Sequence, residues 1–438
     1  MVPVEDGWST MPTIDKTLHR NLRRVLRSGL GTDFLAQFEP AILRNLKIYF
    51  EQVHRDIDAE GWSPAVNMRE WNLCLGFDTM ADFGLGVKLG LLRSSDRDFV
   101  FPALYFHEKK MGLWEQLPLL SNMGFGSLVG TVFPLISSQA GKFANWYQSF
   151  LDEAVALNTH KSHGIFGPVI QSGLGKMENP GHNHRQMITE GSFSTFSSAD
   201  AYGIMLSGFF HYLSHYPCVY QKLAAEMRAM YAPGDDIVWD AGLESNTYLR
   251  AVLFEVMRLL PPACGVHWRE CEREGFPVGP PEADDGVGAG AGVGPVPMAL
   301  GTDVGMSLFS IFRDGRIYRE PVRFWPERWI AGNLPDAELS MAKKMFVPFL
   351  IGPRNCAGSH VAMMMGSIAY AYILVNFDFR FGPEQRQVTQ SQGRSHLVSN
   401  TPRERGADSE LIFESHYSIA GWESGPFIQF QARAEKRQ

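Results

Sequence analysis

Apolar side chains recur at intervals of three and four positions through much of the first 270 residues, a spacing that predicts helices. The pattern is clearest in residues 246–260, where the apolar positions form one continuous face. That face consists of Leu249, Val252, Leu253, Val256, Met257 and Leu260. Two prolines, Pro261 and Pro262, end the helix. A long helix of low charge is predicted at residues 190–216. Shorter helices are predicted at residues 18–30, 68–83 and 219–231.

The sequence changes character after this helical region. Residues 277–301 are rich in Gly and Pro and include the run GVGAGAGVG at 286–294. Glycines on alternate positions, with no Lys-Ser or Lys-Thr after them, do not form a phosphate-binding loop, so we predict a flexible surface insert at about 281–294. Short strands are predicted beside the insert and at 427–430. These elements predict an α+β fold, mainly α, in a single domain spanning residues 1–438.

Composition excludes several classes of protein. Hydrophobic residues make up 45% of the chain and charged residues 20%, which is enough apolar surface to exclude a disordered chain. The net charge is −7, from 40 Lys and Arg against 47 Asp and Glu, and argues against a nucleic-acid partner. The five cysteines form no CxxC pair, which argues against structural zinc and a disulfide framework. The first residues lack the features of a signal peptide.

Two apolar stretches need consideration as membrane segments. Residues 117–136 are interrupted by Asn122, three glycines and Pro134, so we expect contact with a membrane surface there rather than a continuous spanning helix. Residues 360–377 are near the lower limit of length for a span. Their small and polar positions favour a buried core helix instead.

The most specific motif lies just before that core helix. It consists of Phe349, Gly352, Arg354, Cys356 and Gly358. These residues predict a turn-rich loop that presents one thiol at a helix N-terminus, where the helix dipole favours a thiolate. The two glycines would let a flat partner approach the backbone. An inert buried cysteine is the alternative. The full spacing resembles the cysteine loop of the cytochrome P-450 superfamily, the haem-thiolate monooxygenases, with Leu350 where a small residue is usual.

A second motif supports the resemblance. Glu255 and Arg258 stand at i and i+3 on the helix of residues 246–260, and alone they would form an ordinary surface ion pair. In the family this pair meets an arginine from a downstream segment, present here as Pro326-Glu327-Arg328-Trp329. The resemblance therefore implies a structural network of Glu255, Arg258 and Arg328 that braces the loop carrying Cys356.

The long helix carries the third motif. Asp200 is the only charged residue between Gly191 and Phe210, and it stands among small residues that would let a planar group lie against the helix. The segment resembles the oxygen-activating stretch of the family, in which the acid is followed by a threonine. Here Ala201 takes the place of that threonine, so water or a substrate hydroxyl would have to deliver protons, or the chemistry would differ. A purely structural acid is the alternative for Asp200.

A basic helix carries the fourth motif. His19 and Arg23 stand at i and i+4, and the resemblance implies that they hold a haem propionate. Arg269 and Arg354 are further candidates for this role. The remaining arginines of the helix form a solvated basic face that could meet an acidic electron donor.

The resemblance extends from about Leu18 to the C-terminus. Residues 77–84, FDTMADFG, are similar to a run in fungal microsomal members of the benzoate para-hydroxylase and pisatin demethylase type. Members usually have a longer segment before the basic helix, so we expect this chain to lack the N-terminal anchor and the first helices and strands. Three explanations of the short N-terminal segment remain open: a fragment, a shortened gene model and a natural truncation.

The resemblance implies a haem whose iron is ligated by the Cys356 thiolate. It implies insertion of one oxygen atom from O₂ into an apolar organic substrate, in secondary metabolism. It also implies electrons from NADPH–cytochrome P-450 reductase or a cytochrome b-type donor, and a place on the cytosolic face of the endoplasmic reticulum. The alternatives are a haem-thiolate oxidase that desaturates or couples its substrates, and a truncated haem-binding protein with little activity.

Overall fold

The computed structural model describes residues 10–11, 13–28, 30–31, 35–94, 100–101, 141–142, 145–150, 152–153, 156, 180–278, 295–384, 415–416, 419–420 and 425–433. Helices dominate these residues. In chain order they are α1 Lys16–Ser28, α2 Glu39–Val53, α3 Met68–Leu85, α4 Pro180–His215, α5 Pro217–Met230, α6 Ala241–Ser245, α7 Thr247–Leu259, α8 Leu308–Ile311, α9 Asp336–Met345 and α10 Ser359–Asn376. Short 3₁₀ helices lie at Ala36–Phe38, Pro326–Trp329 and Gly352–Arg354.

The strands form small antiparallel sheets. They are β1 Val66–Asn67, β2 Val266–Glu270, β3 Phe276–Val278, β4 Val296–Met298, β5 Asp303–Ser307, β6 Phe377–Phe381, β7 Ser415–His416, β8 Ile419–Ala420 and β9 Phe427–Ala432. The three-stranded sheet has the order β1-β9-β6, with Phe379 opposite Phe430. The other sheets pair β2 with β5, β3 with β4 and β7 with β8. The prediction of an α+β fold that is mainly α is confirmed.

The predicted helices are all present, but α4 starts earlier than expected. Its first residue is Pro180, ten positions before the predicted start at residue 190. The other five predicted helices, α10 among them, have ends within two residues of their predicted positions. Strands β3 and β4 flank the predicted insert, while the insert itself at about 281–294 and the apolar stretch at 117–136 lie outside the described residues.

Helix α10 is the centre of the core, as its apolar sequence predicts. Nearly every side chain between Met364 and Val375 is buried. None of the helices that the structure describes has both the length and the apolar character needed to cross a bilayer.

Close helix packing places α4 against its neighbours. A Cβ atom on Gly76 of α3 would lie only 2.3 Å from the Ala199 carbonyl oxygen of α4, so only glycine allows this approach. On the α10 side, Met205 lies against Gly366, and the rings of Phe209 and Tyr370 are 3.9 Å apart. Since later residues of α4 meet later residues of α10, the two helices run in the same direction at this contact. The part of α4 before Met205 therefore lies toward the start of α10.

Candidate active site

Helix α1 buries one face and exposes a basic one. Its buried side chains are His19, Leu22, Arg23 and Leu26, at the spacing of a single helical face. Its exposed side chains include Arg20, Arg24 and Arg27. Two groups that carry or accept positive charge therefore point inward together, while three arginines remain in solvent.

The cysteine loop is closed by its own backbone and held by α1. The Cys356 N–H donates to the Phe349 carbonyl at 2.7 Å, and the Gly352–Arg354 3₁₀ helix lies between them. Gly352 has φ 77°, a conformation that glycine adopts without strain. The Arg23 Nη2 donates to Asn355 Oδ1 at 2.7 Å, which joins α1 to the residue beside Cys356.

The thiol of Cys356 is reached by solvent, yet protein surrounds most of it. This burial raises the pKa of the Cys356 thiol, while the Gly358 N–H and the Arg23 guanidinium act in the opposite direction. The Gly358 N–H before the helix acts in the direction that the sequence analysis expected, but burial outweighs it. Helix α10 begins at Ser359, three residues after the thiol. A bound metal cation would supply the missing stabilisation of the thiolate.

A cluster of cationic side chains lies beside the loop. Burial lowers the pKa of His19, and the nearby charges of Arg354 and Arg23 lower it further. The Nε of Arg23 is buried and has no hydrogen-bond partner among the described residues. Arg354 donates to the backbone carbonyls of Thr13 at 2.6 Å and Ile14 at 3.3 Å. Free N–H groups and accumulated positive charge suit the carboxylates of a haem.

Arg269 takes no part in this cluster in the described contacts. Its side chain is exposed on β2, and its Nη1 donates to the carbonyl of the neighbouring Trp268 at 2.7 Å.

The Glu255 carboxylate is fully buried and receives five hydrogen bonds. Its donors are Arg258 Nε at 2.9 Å, Arg258 Nη2 at 2.8 Å, Arg328 Nε at 3.0 Å, the Trp325 N–H at 2.9 Å and Trp329 Nε1 at 2.9 Å. Burial acts to raise the pKa of Glu255, but the two arginines and the other donors outweigh it and hold the pKa below its ordinary value. Neither Arg258 nor Arg328 is exposed. The ordinary surface ion pair that the i, i+3 spacing alone suggests is therefore not what forms.

The network extends from α7 toward the cysteine loop. Arg258 also donates to the Phe312 carbonyl at 2.6 Å, and Arg328 donates to the Arg319 carbonyl at 2.6 Å. The rings of Trp329 and Phe346 lie 4.6 Å apart, and Leu350 packs on the same apolar cluster. One continuous set of contacts therefore joins Glu255 to the first residues of the loop.

Asp200 is paired with an arginine that the sequence analysis did not identify. Arg69 on α3 donates to its carboxylate at 2.8 Å, and the two side chains are 10% and 14% exposed. The pair is separated by 131 positions, so no local pattern could indicate it. The carboxylate has a structural partner, and Ala201 beside it is half-buried.

Glu190 is a second residue that the sequence analysis missed. It lies on α4, is 7% exposed and accepts the Thr10 N–H at 2.5 Å. Burial raises its pKa, against the hydrogen bond from Thr10 and the charge of Arg23. Through Arg23, the α4 helix and the cysteine loop share one electrostatic environment.

Comparison with known proteins gives the family. The cytochrome P-450 family model matches residues 290–405, which include the cysteine loop. Cytochrome P-450 monooxygenase apf7 of Gibberella fujikuroi is 24% identical over 97% of this chain and 78% of its own length. A cytochrome P-450 monooxygenase of Gibberella zeae is 26% identical over 97% of this chain and 92% of its own length. The relative atnE of Emericella nidulans, a cytochrome P-450 monooxygenase too, is 25% identical over 98% of this chain.

The chain belongs to the cytochrome P-450 superfamily and is an oxidoreductase of the monooxygenase class. The cofactor of this family is a haem with thiolate-ligated iron. The residues present fit such a group, because a solvent-reached thiol lies beside a buried Arg23 whose Nε has no partner among the described residues.

Proposed function

We propose that Cys356 ligates the haem iron and that the protein inserts one oxygen atom from O₂ into an apolar organic substrate of fungal secondary metabolism, with residues 1–438 forming one haem-binding domain. The observation that carries this proposal is the position of the accessible Cys356 thiol beside the buried His19 and Arg23. The haem, when bound, supplies oxygen activation, and electron donation from its thiolate ligand favours O–O cleavage.

The chain's own residues position the group and protect it. His19, Arg23 and Arg354 would hold its propionates through charge and N–H donation. The buried network of Glu255, Arg258 and Arg328 would keep the cysteine loop in one conformation.

Asp200 and Ala201 lie on α4, whose small side chains would leave room for the flat ring. Phe349, Gly352 and Gly358 shape the loop around the thiol. Arg269, exposed on β2, receives no support from these contacts.

The reaction requires an external electron source. One substrate C–H bond, O₂, two electrons and two protons give one alcohol and one water. NADPH–cytochrome P-450 reductase or a cytochrome b-type protein would supply the electrons at the cytosolic face of the endoplasmic reticulum. The exposed Arg20, Arg24 and Arg27 offer a basic surface for an acidic donor. The exposed apolar side chain of Ile14 lies near the cysteine loop, since Arg354 binds the Ile14 backbone.

A haem-thiolate oxidase is the second candidate. Ala201 has no hydroxyl, and Arg69 already occupies the Asp200 carboxylate. Both features depart from the proton delivery expected for oxygen insertion, so altered chemistry, such as desaturation or coupling of the substrate, is the second candidate. In that case both oxygen atoms leave as water and none enters the product.

Labelled oxygen separates the two candidates. The haem-loaded protein is incubated with NADPH, a fungal cytochrome P-450 reductase, ¹⁸O₂ and a library of apolar probes. Monooxygenation gives products that carry one ¹⁸O atom. Desaturated or coupled products without ¹⁸O would support the oxidase, and haem-loaded protein that converts no probe would favour the truncated haem-binding protein.

A further inference from the structure

One face of α4 is partly exposed between Glu190, which is itself buried, and Ala201, and is closed further along. At about 100° per residue, Glu190, Ser194, Ser197 and Ala201 project within about 60° of one another. Further along the same side, Met205 packs on α10, and a Cβ on Gly208 would lie 2.9 Å from a Val256 methyl of α7. The closed part faces α7 and α10.

The partly exposed part of this face, at Ser194, Ser197 and Ala201, lies on the side of the cysteine loop. Helices α4 and α10 run in the same direction where they touch, so residues before Met205 lie opposite the start of α10. The charge of Arg23, which lies beside Cys356, is also felt by the buried Glu190, one helical turn before Ser194 on the same face. The Nε of Arg23, which has no hydrogen-bond partner in the described part of the chain, points to a ligand in the same space.

Ser197 carries the most accessible hydroxyl of this face. It is exposed, whereas Ser194 and Ala201 are half-buried. Its Oγ donates to the Phe193 carbonyl at 2.9 Å, which fixes the direction of the hydroxyl and leaves its lone pairs free to accept. Ser197 stands one helical turn before Ala201, on the same side of the helix.

Two other polar groups near position 201 are less accessible than Ser197, one through pairing and one through burial. Asp200 is bound by Arg69, and the hydroxyl of Tyr202 is fully buried. Tyr202 lies near Tyr49 and Tyr370 in the core, where its charge would be felt by both. On the face that Ala201 shares with Ser194 and Ser197, the exposed residue with a hydroxyl is therefore Ser197.

We propose that Ser197 supplies the hydroxyl that Ala201 lacks: its Oγ accepts a proton from water while its own proton turns away from the Phe193 carbonyl and passes into the space between α4 and the cysteine loop. This inference rests on the proposed monooxygenase function. Productive turnover consumes two electrons and two protons for each oxygen atom inserted and each water released. When the protons are not delivered to the position that leads to O–O cleavage, O₂ takes up the same two electrons and two protons and leaves as H₂O₂. The substrate is then not oxidised.

The matched variants are Ser197→Thr and Ser197→Val. Threonine and valine have nearly the same shape, so the pair differs in the hydroxyl alone. The peroxide formed per NADPH consumed should be higher in the valine variant by roughly tenfold, which is less than the roughly 100-fold or more that a positioned proton donor contributes, because this fraction cannot exceed one. A Ser197→Ala variant should release a similar fraction of its NADPH electrons as peroxide. Adding Ala201→Thr to it should lower that fraction again.

A second readout needs no turnover. Relaxation of bulk-water protons by the ferric haem depends on exchange of protons with the site, and it should fall in the valine variant but not in the threonine variant. Equal peroxide fractions and equal relaxation in the two variants would overturn the role of Ser197.

Failure of the proposed function gives a different result. In that case the wild-type protein shows no thiolate-type band with carbon monoxide, whatever residue stands at position 197. A wild-type thiolate band together with identical threonine and valine variants overturns the role of Ser197 alone.

Discussion

Leu350 occupies a backbone conformation that leucine rarely adopts. Its φ is 57°, in the left-handed region, two residues before Gly352 in the cysteine loop. A Cβ atom in this region costs about 1–2 kcal/mol. The leucine side chain offsets part of that cost by packing on the apolar cluster around Phe346. The departure from a small residue at this position is therefore a source of strain next to the proposed ligand.

Glycine and alanine at position 350 separate strain from packing. Both substitutions remove the leucine contacts, but only glycine removes the Cβ clash. We expect Leu350→Gly to be more stable than Leu350→Ala by about 1 kcal/mol, the reverse of the usual order. Urea unfolding of the two variants measures the difference. An alanine variant that is the more stable of the two would show that position 350 is not left-handed.

Asp78 makes the stability of the fold depend on pH. Its buried carboxylate accepts the N–H groups of Leu91 and Leu92, both at 2.9 Å. Burial raises its pKa to about 6 despite these hydrogen bonds. Because the folded pKa exceeds the unfolded value of 3.8, the group stabilises the fold below about pH 4 and loses that contribution as pH rises to about 6.

The Asp78→Asn variant removes this titration. Two pKa units correspond to about 3 kcal/mol, so the wild-type melting temperature should fall more between pH 4.5 and pH 7 than that of the variant. Thermal melting across this range measures it. Parallel curves for the two proteins would mean that Asp78 is already ionised in the fold at pH 4.5.

At the scale of elements, the Glu255 network joins α7 to the segment before the cysteine loop. Glu255→Ala leaves two buried arginines without their counter-ion and should cost about 3–5 kcal/mol. We also expect the variant to lose haem. Calorimetry and the haem absorbance per protein check the two effects.

Glu320→Ala is the matched control. Glu320 pairs with Arg323 at the same i, i+3 spacing and at 2.9 Å, but both side chains are about half exposed. An exposed pair contributes at most about 1 kcal/mol. If both alanine variants melt alike and keep haem, the Glu255 network is no stronger than a surface pair.

The elements were predictable where the signal is local. Apolar spacing and the Pro261-Pro262 stop locate α7, and an uninterrupted apolar run locates α10. The first ten residues of α4 were missed because residues 180–189 are mostly polar and include Gly181 and two histidines, which give no apolar period.

Contacts between elements far apart in the chain could not be predicted, because no local sequence pattern indicates them. The Arg69–Asp200 pair joins α3 and α4 across 131 positions, and the Thr10–Glu190 hydrogen bond spans 180. The motif identified Glu255, Arg258 and Arg328 as a set, but the donors Trp325 and Trp329 depend on tertiary packing. The pKa of Cys356 likewise depends on burial, which one sequence does not reveal.

At the scale of the whole molecule, charge is distributed unevenly. The chain has a net charge of −7, yet α1 exposes three arginines beside the cysteine loop. An acidic electron donor would be attracted to this face in spite of the overall charge. Such attraction weakens as salt shortens the range of the field.

Charge reversal on α1 tests this surface. The double variant Arg20→Glu and Arg24→Glu should raise the KM for reductase by about tenfold at low ionic strength and flatten its dependence on salt. Lys343→Glu with Lys344→Glu, on the exposed side of α9, changes the net charge equally and should have little effect. Equal effects of the two double variants would mean that only total charge matters.

The central claim is that Cys356 is the thiolate ligand of the haem. The most direct measurement is the carbon-monoxide difference spectrum of the reduced, haem-loaded protein, since a thiolate opposite the bound gas gives a characteristic band. We predict this band in the wild type and in Cys218→Ser, which changes the other exposed cysteine, and its loss in Cys356→Ala. A band that persists in Cys356→Ala would contradict the account and assign the iron to a different cysteine.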